Sequence, residues 1–236
     1  MIQISLSSGD YLLLKESPNR KFKGVKIPGS TLYKAERTGY ALSIHVYQHR
    51  LYTITLRQFQ FTEDVRIITA ETNNWLRLEL PLSGTLSIIP REGQPFQMAP
   101  GTYHLTDQSP FATDHLAGES AIYFSVHFAP ELLASIGSDQ SFMSRAPGPV
   151  PQDLLEMVYD ILKCPFQESL RNFYYANKVR ELLFSHSVSL PLALPGELNQ
   201  AEIALMYEAD RIMSDNLDGK ITIPELARKL GTNFVT

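Results

Sequence analysis

The first 128 residues contain no stretch in which apolar residues recur at helical spacing. They carry a succession of short runs instead: "ALSIHVYQH", "LYTITLRQFQF", "VRIITAE", "WLRLELPLSGTLSII" and "SAIYFSVHF". Each is rich in Val, Ile, Thr and aromatics, and turn-forming segments such as "PREGQP", "APG" and "LAGES" separate them. Many short strands joined by Gly and Pro turns, with no helix between them, cannot build a strand-helix-strand sheet and predict a sandwich or barrel.

The period changes after residue 150. In "PQDLLEMVYDILKC" the residues Leu154, Leu155, Val158, Ile161 and Leu162 fall on one helical stripe, and Pro165 ends that helix. A second helix is expected over residues 167–187, with Leu170, Phe173, Ala176, Val179 and Leu183 as its buried stripe. Pro191, Pro195 and Gly196 then interrupt any regular element, so a linker is expected at 191–198. Beyond it Asn199 can cap a helix whose stripe is Leu205, Ala209, Ile212 and Met213.

Bulk properties narrow the partners. Lysine and arginine number 21 against 25 acids, a net charge of −4, which does not suit a general polyanion binder. Cys164 is the single cysteine, so no internal disulfide and no cysteine-rich zinc site can form, and a reducing compartment fits. No secretory leader and no apolar run of membrane-spanning length is visible, and a cytoplasmic protein without a membrane partner is expected.

The closing segment "TIPELARKLGT" has the pattern of a helix followed by a sharp turn. Thr222 and Glu225 form a capping box, Leu226 and Leu230 share a face, and Ala227 is small enough for a close helix crossing. Gly231, four residues on, can take the left-handed conformation that turns the chain. A strand-rich first half, a helical connector and then "AEIALMYEADRIMSDNLDGKITIPELARKLGTNFVT" together resemble the AraC-type transcriptional regulators. The phrase "ANKVRELLFSHSV" is similar to the siderophore-uptake subgroup of pyochelin-regulator type.

That resemblance implies an α+β chain: a cupin-like β barrel or sandwich, then two helices and a truncated helix-turn-helix. It implies a ligand-sensing domain at 1–148, a helical dimerisation segment at 149–190, the linker at 191–198, and at 199–236 the first two helices of a DNA-binding domain cut short. It further implies a homodimer whose effector is a small molecule, a ferric siderophore among the candidates. The full-length protein would bind DNA, whereas this chain would not, because residues 232–236, with Thr232, Asn233 and Thr236 as candidate DNA contacts, are all that it retains of a recognition helix.

"GQPFQMAPGTYHL" resembles the second cupin motif, with Gly93, Gly101 and His104 at its spacing. The first motif's paired histidines have no counterpart in "WLRLELPLSG", which offers Glu79 alone. His45 and His49 lie about 13 Å apart on a strand, too far for one ion. No nucleophile elbow or phosphate loop occurs. The expectation is therefore no metal, no cofactor and no enzyme; a metal-dependent cupin oxygenase or isomerase is the alternative. Candidate ligand-binding residues are Trp75, Arg77 and Glu79 on one strand, Tyr123 and Ser125 on a later one, His45 and Tyr47 on an earlier one, and His104. Alternation places Leu76, Leu78, Leu80 and Leu82 on one face and Trp75, Arg77, Glu79 and Ser83 on the other, without saying which face looks inward.

Overall fold

A computed structural model of the chain describes residues 2–6, 10–18, 22–37, 40–69, 75–90, 94–106, 111–135, 147–189, 212 and 222–230. The expected linker, the helix from Asn199 apart from Ile212, and Gly231 lie outside them. The chain divides into two compact units, residues 1–189 and 190–236.

In the first unit the β-type runs form β1 (Ile2–Leu6), β2 (Tyr11–Ser17), β3 (Thr31–Arg37), β4 (Tyr40–Gln48), β5 (Tyr52–Phe61), β6 (Val65–Thr69) and β7 (Leu76–Ser83). They continue as β8 (Leu86–Ile89), β9 (Phe96–Met98), β10 (Thr102–Thr106), β11 (Phe111–His115) and β12 (Ser120–Phe128). The short helix α1 (Pro130–Ser135) and strand β13 (Gly148–Pro149) precede α2 (Gln152–Leu162) and α3 (Glu168–Ser189). The strands make one antiparallel ribbon in the order β13-β10-β7-β12-β5-β4-β3-β2-β1-β6-β11-β8-β9. This order has two ends, so among the described residues the ladder is an open sheet folded over on itself and not a closed barrel.

Folding over gives two cores. The inner one joins Leu6, Leu12, Leu14, Val65, Ile67, Leu86, Ile88 and Met98 to Leu42, Ile44, Phe59, Phe61 and Tyr123. The outer one joins Ile54, Leu56, Leu76, Leu78, Leu80, Phe124 and Val126 to Leu154, Val158 and Ile161 of α2 and Tyr175, Val179, Leu182 and Leu183 of α3. The central strands are thus buried on both faces, and each fully buried Leu or Val contributes about 1.5–3 kcal/mol. The turn between β7 and β8 requires Gly84, whose φ is 72° and where a Cβ would meet the Ser120 carbonyl oxygen at 2.5 Å.

α2 buries the stripe its spacing predicts. α3 does so only in its second half: Val179 and Leu183 are buried and Ala176 packs on the core, joined by Tyr175, Leu182 and His186, while Leu170 is 60 % and Phe173 70 % exposed. At its first turns Tyr175 takes the inward place instead, its hydroxyl sharing one proton between the Pro28 and Ile161 carbonyl oxygens at 3.0 and 3.2 Å. His186, buried in the last turns, meets the Tyr103 hydroxyl of β10 at 2.8 Å through Nδ1.

In the second unit, α4 (Ile223–Lys229) begins at Thr222. The Thr222 backbone N–H and hydroxyl both donate to Glu225 Oε2, at 2.9 and 2.8 Å. These bonds hold the Glu225 carboxyl below its ordinary range. Among the described residues no helix is long and apolar enough to cross a membrane.

Candidate functional site

β7 lies between β10 and β12, and its alternation sorts chemistry by face. Leu76, Leu78 and Leu80 pack beneath the helices, so Arg77 and Glu79 point into the fold between the sheet's two halves. Neither side chain reaches solvent: Arg77 is 0 % and Glu79 1 % exposed.

Register brings the rest of the cluster together. Thr106, Arg77 and His127 form one rung across β10, β7 and β12; His104, Glu79, Ser125 and Thr55 form the next, reaching β5; and Tyr123 follows, opposite Arg57. Arg77 Nη1 is 3.8 Å from Glu79 Oε1, beyond hydrogen-bonding distance. The Tyr123 hydroxyl donates to Glu79 Oε2 at 3.2 Å and lies 3.8 Å from Met98 Sδ. Ser125 Oγ is 2.6 Å from Thr55 Oγ1 and 3.4 Å from His127 Nε2. His104 packs edge-on against Phe96, with ring centres 5.2 Å apart.

Burial sets the protonation states. Desolvation, then the Glu79 charge, raises the Tyr123 phenol well above its ordinary range and keeps it a donor. Desolvation, reinforced by Arg57 and Arg77, drives His127 well below the usual imidazole range, so it is neutral at pH 7. Glu79 Oε1 accepts no hydrogen bond among the described residues. A buried ion pair held only by Coulomb attraction recovers little of its desolvation cost. It leaves a carboxylate oxygen able to accept from another donor.

The predicted residues thus separate. Arg77, Glu79, Tyr123, Ser125 and His104 come together on the inner face, and Trp75 is half-buried just before β7. His45 and Tyr47 do not join them. Register pairs His45 with Leu56 and Tyr47 with Ile54, on the outer face with Phe124 and Val126. Tyr47 hydrogen-bonds Asn172 of α3 and meets Tyr175 edge-on at 4.7 Å, while His45 Nδ1 is 3.1 Å from Ser30 Oγ. Thr55, Thr106 and Met98 complete the cluster and were not singled out by the sequence. Only cross-strand register reveals the two threonines. Among the described residues no three His, Cys, Asp or Glu side chains are grouped to hold a metal ion. Thr232, Asn233 and Thr236 lie outside the described residues.

Residues 44–196 match the family model of the regulatory protein PchR N-terminal domain, which is more than half of the chain. The chain belongs to this family. The matched span of the PchR N-terminal domain runs from β4 to beyond α3 and contains every member of the inner cluster. Among solved structures, the AraC-like transcriptional activator CuxR is 13 % identical, covering 83 % of this chain and 72 % of its own, with a TM-score of 0.48. ToxT from Vibrio cholerae is 10 % identical over 78 % of this chain and 71 % of its own, at 0.42. A cupin domain of an XRE-family regulator from Enterobacter cloacae is 9 % identical over 38 % of this chain and 97 % of its own, at 0.33. No curated protein sequence matches the chain.

Proposed function

We propose that this chain is the effector-sensing and dimerising portion of an AraC-type transcription regulator, that the full-length protein binds DNA, and that the chain is not an enzyme. The observation that carries the sensing role is the buried Arg77 and Glu79 pair, held 3.8 Å apart with Glu79 Oε1 unbonded. Such a pair contributes little to stability, so its use lies in discrimination. An effector bearing a phenol or hydroxyl donor would bond Glu79 Oε1, beside Arg77, while Tyr123 holds Oε2. Siderophores bear such groups, which agrees with the resemblance read from the sequence. Arg77, Glu79, Tyr123, Ser125 and His104 are buried, and Arg57 beside them is half-buried.

Dimerisation rests on α3. Phe173 and Phe184, three turns apart, expose 70 % and 68 % of their surfaces on one side of the helix, with Leu170 beside them. A second copy covering that stripe would bury it by two-fold pairing.

The test is a thermal-unfolding screen of ferric siderophores and sugars against the whole chain, repeated with Arg77→Ala. A ligand that raises the midpoint of the parent and not of the folded variant supports the reading. Equal shifts in both would move the effector site off the cluster.

A further inference from the structure

Among the described residues the helices do not cover the whole outer face of the sheet. Beyond the rung of His45, Leu56, Phe124 and Leu80, the next outward rung crosses five strands as Lys34, Ser43, Gln58, Ile122 and Ser83. Ala41, Gln60 and Ser120 form the rung after it. Small side chains at Ala41, Ser43, Ser83 and Ser120 hollow this part of the face into a cavity of about 300 Å³, walled on one side by the Phe22 ring.

The wall is built in place. Phe22 packs edge-on against buried His45, with ring centres 4.8 Å apart, and closely over Gly24, where an added Cβ would lie 2.7 Å from the ring. The Gln58 amide is fixed by donating to the Val25 carbonyl at 2.6 Å, which leaves its oxygen turned to accept.

We propose that this cavity is a binding site for a small, singly charged hydroxy-carboxylate. Its charge comes from Lys34, whose ammonium is 5.5 Å from the Phe22 ring centre and which lies directly opposite Lys15 across β2 and β3. Among the described residues no aspartate or glutamate lines it. A lysine is a point charge, and the strand N–H groups are used in the ladder. One carboxylate is therefore matched better than a phosphate, which calls for a fork or a nest of donors. Three serine hydroxyls and two glutamine amides supply donors and acceptors for the ligand's hydroxyl groups. The volume stands at the small end of the range of ligand pockets. The cavity lies on the opposite face from Arg77 and is independent of any effector bound there.

The experiment uses the whole chain and sodium gluconate as the probe, followed by saturation-transfer NMR at low ionic strength, with sorbitol and acetate as half-probes. Binding is read locally from the His45 imidazole signals, because Phe22 touches that ring. Gluconate is expected to bind, with sorbitol, acetate and the Lys34→Met variant each weaker by about tenfold or more. Ser43→Leu should abolish binding by filling the cavity, and Ser120→Leu, at an exposed strand start, serves the same purpose if the first variant does not fold. No transfer to gluconate, or sorbitol binding as tightly as gluconate, or unchanged affinity in the folded leucine variants, would overturn the proposal.

Discussion

β7 and β12 present two interiors made by opposite rules. Their outer face, under α2 and α3, is leucine, phenylalanine and valine packed on helix side chains, and it loses nothing by being dry. Their inner face holds a charge pair, a tyrosine, a histidine and a serine at similar burial, where each polar group depends on its neighbours. The first kind of surface holds the molecule together by area. The second holds a geometry, at a cost that the first must offset.

Breaking the inner face should have the largest effect. Glu79→Ala removes the carboxylate 3.8 Å from the buried Arg77 guanidinium and is expected to cost roughly 3–5 kcal/mol in urea unfolding. A loss below about 1 kcal/mol would mean that water reaches Arg77 and that the two interiors are not alike in dryness. On the outer face Leu78→Ala removes a fully buried side chain and should cost about 2–5 kcal/mol by cavity formation, with no change in the Tyr123 environment by NMR.

Acid should weaken both faces, because each holds a buried neutral histidine. His45 is lowered to about 4, first by burial and then by Lys26 and Lys34; His127 is lowered well below the usual range, first by burial. A folded pKa below the unfolded one means that the unfolded chain binds more protons, so stability is full above about pH 6.5 and falls as the pH drops toward 4. For His45 alone, at about 1.4 kcal/mol per pH unit, the loss reaches about 3 kcal/mol. His45→Phe should flatten part of the slope in pH-dependent unfolding curves; an unchanged slope would assign the acid sensitivity elsewhere. The smallest effect on stability is expected at Phe173→Glu on the exposed side of α3, within about 0.5 kcal/mol. Light scattering should nevertheless show it shifting a dimer toward monomer, and a parent chain that is monomeric would remove α3 as an interface.

Much of this architecture was legible in the sequence, and what was not has definable causes. Runs of β-type residues and the change to helical spacing after residue 150 are local signals, and they marked the sheet and α2. Single-strand alternation also paired Arg77 with Glu79 and Tyr123 with Ser125. It could not say that His45 and Tyr47 face the other way, because that depends on which β4 residue stands opposite which β5 residue. The first turns of α3 were assigned the wrong side for a related reason, whereas Val179 and Leu183 are buried as expected. Leu170, Phe173 and Phe184 are as apolar as the residues that are buried, and only the Tyr175 bonds to Pro28 and Ile161 decide between the two sides. An α3 with two apolar sides defeats any rule that assumes one.

The alternation of β7 also breaks once. Tyr123 pairs with Pro81 but Ile122 pairs with Ser83, so Leu82 is an extra residue, and Ser83 turns to the outer face, where it lines the cavity beside Phe22. This bulge divides one strand into two registers that can drift separately. A residue gained or lost in the turn that follows, around Gly84, would be felt at Ser83 and at the cavity. The spacing of Arg77 and Glu79 lies upstream of the slip and would be untouched. The two halves of a single eight-residue strand are therefore open to independent variation, one tuning an open surface and the other holding a closed interior constant.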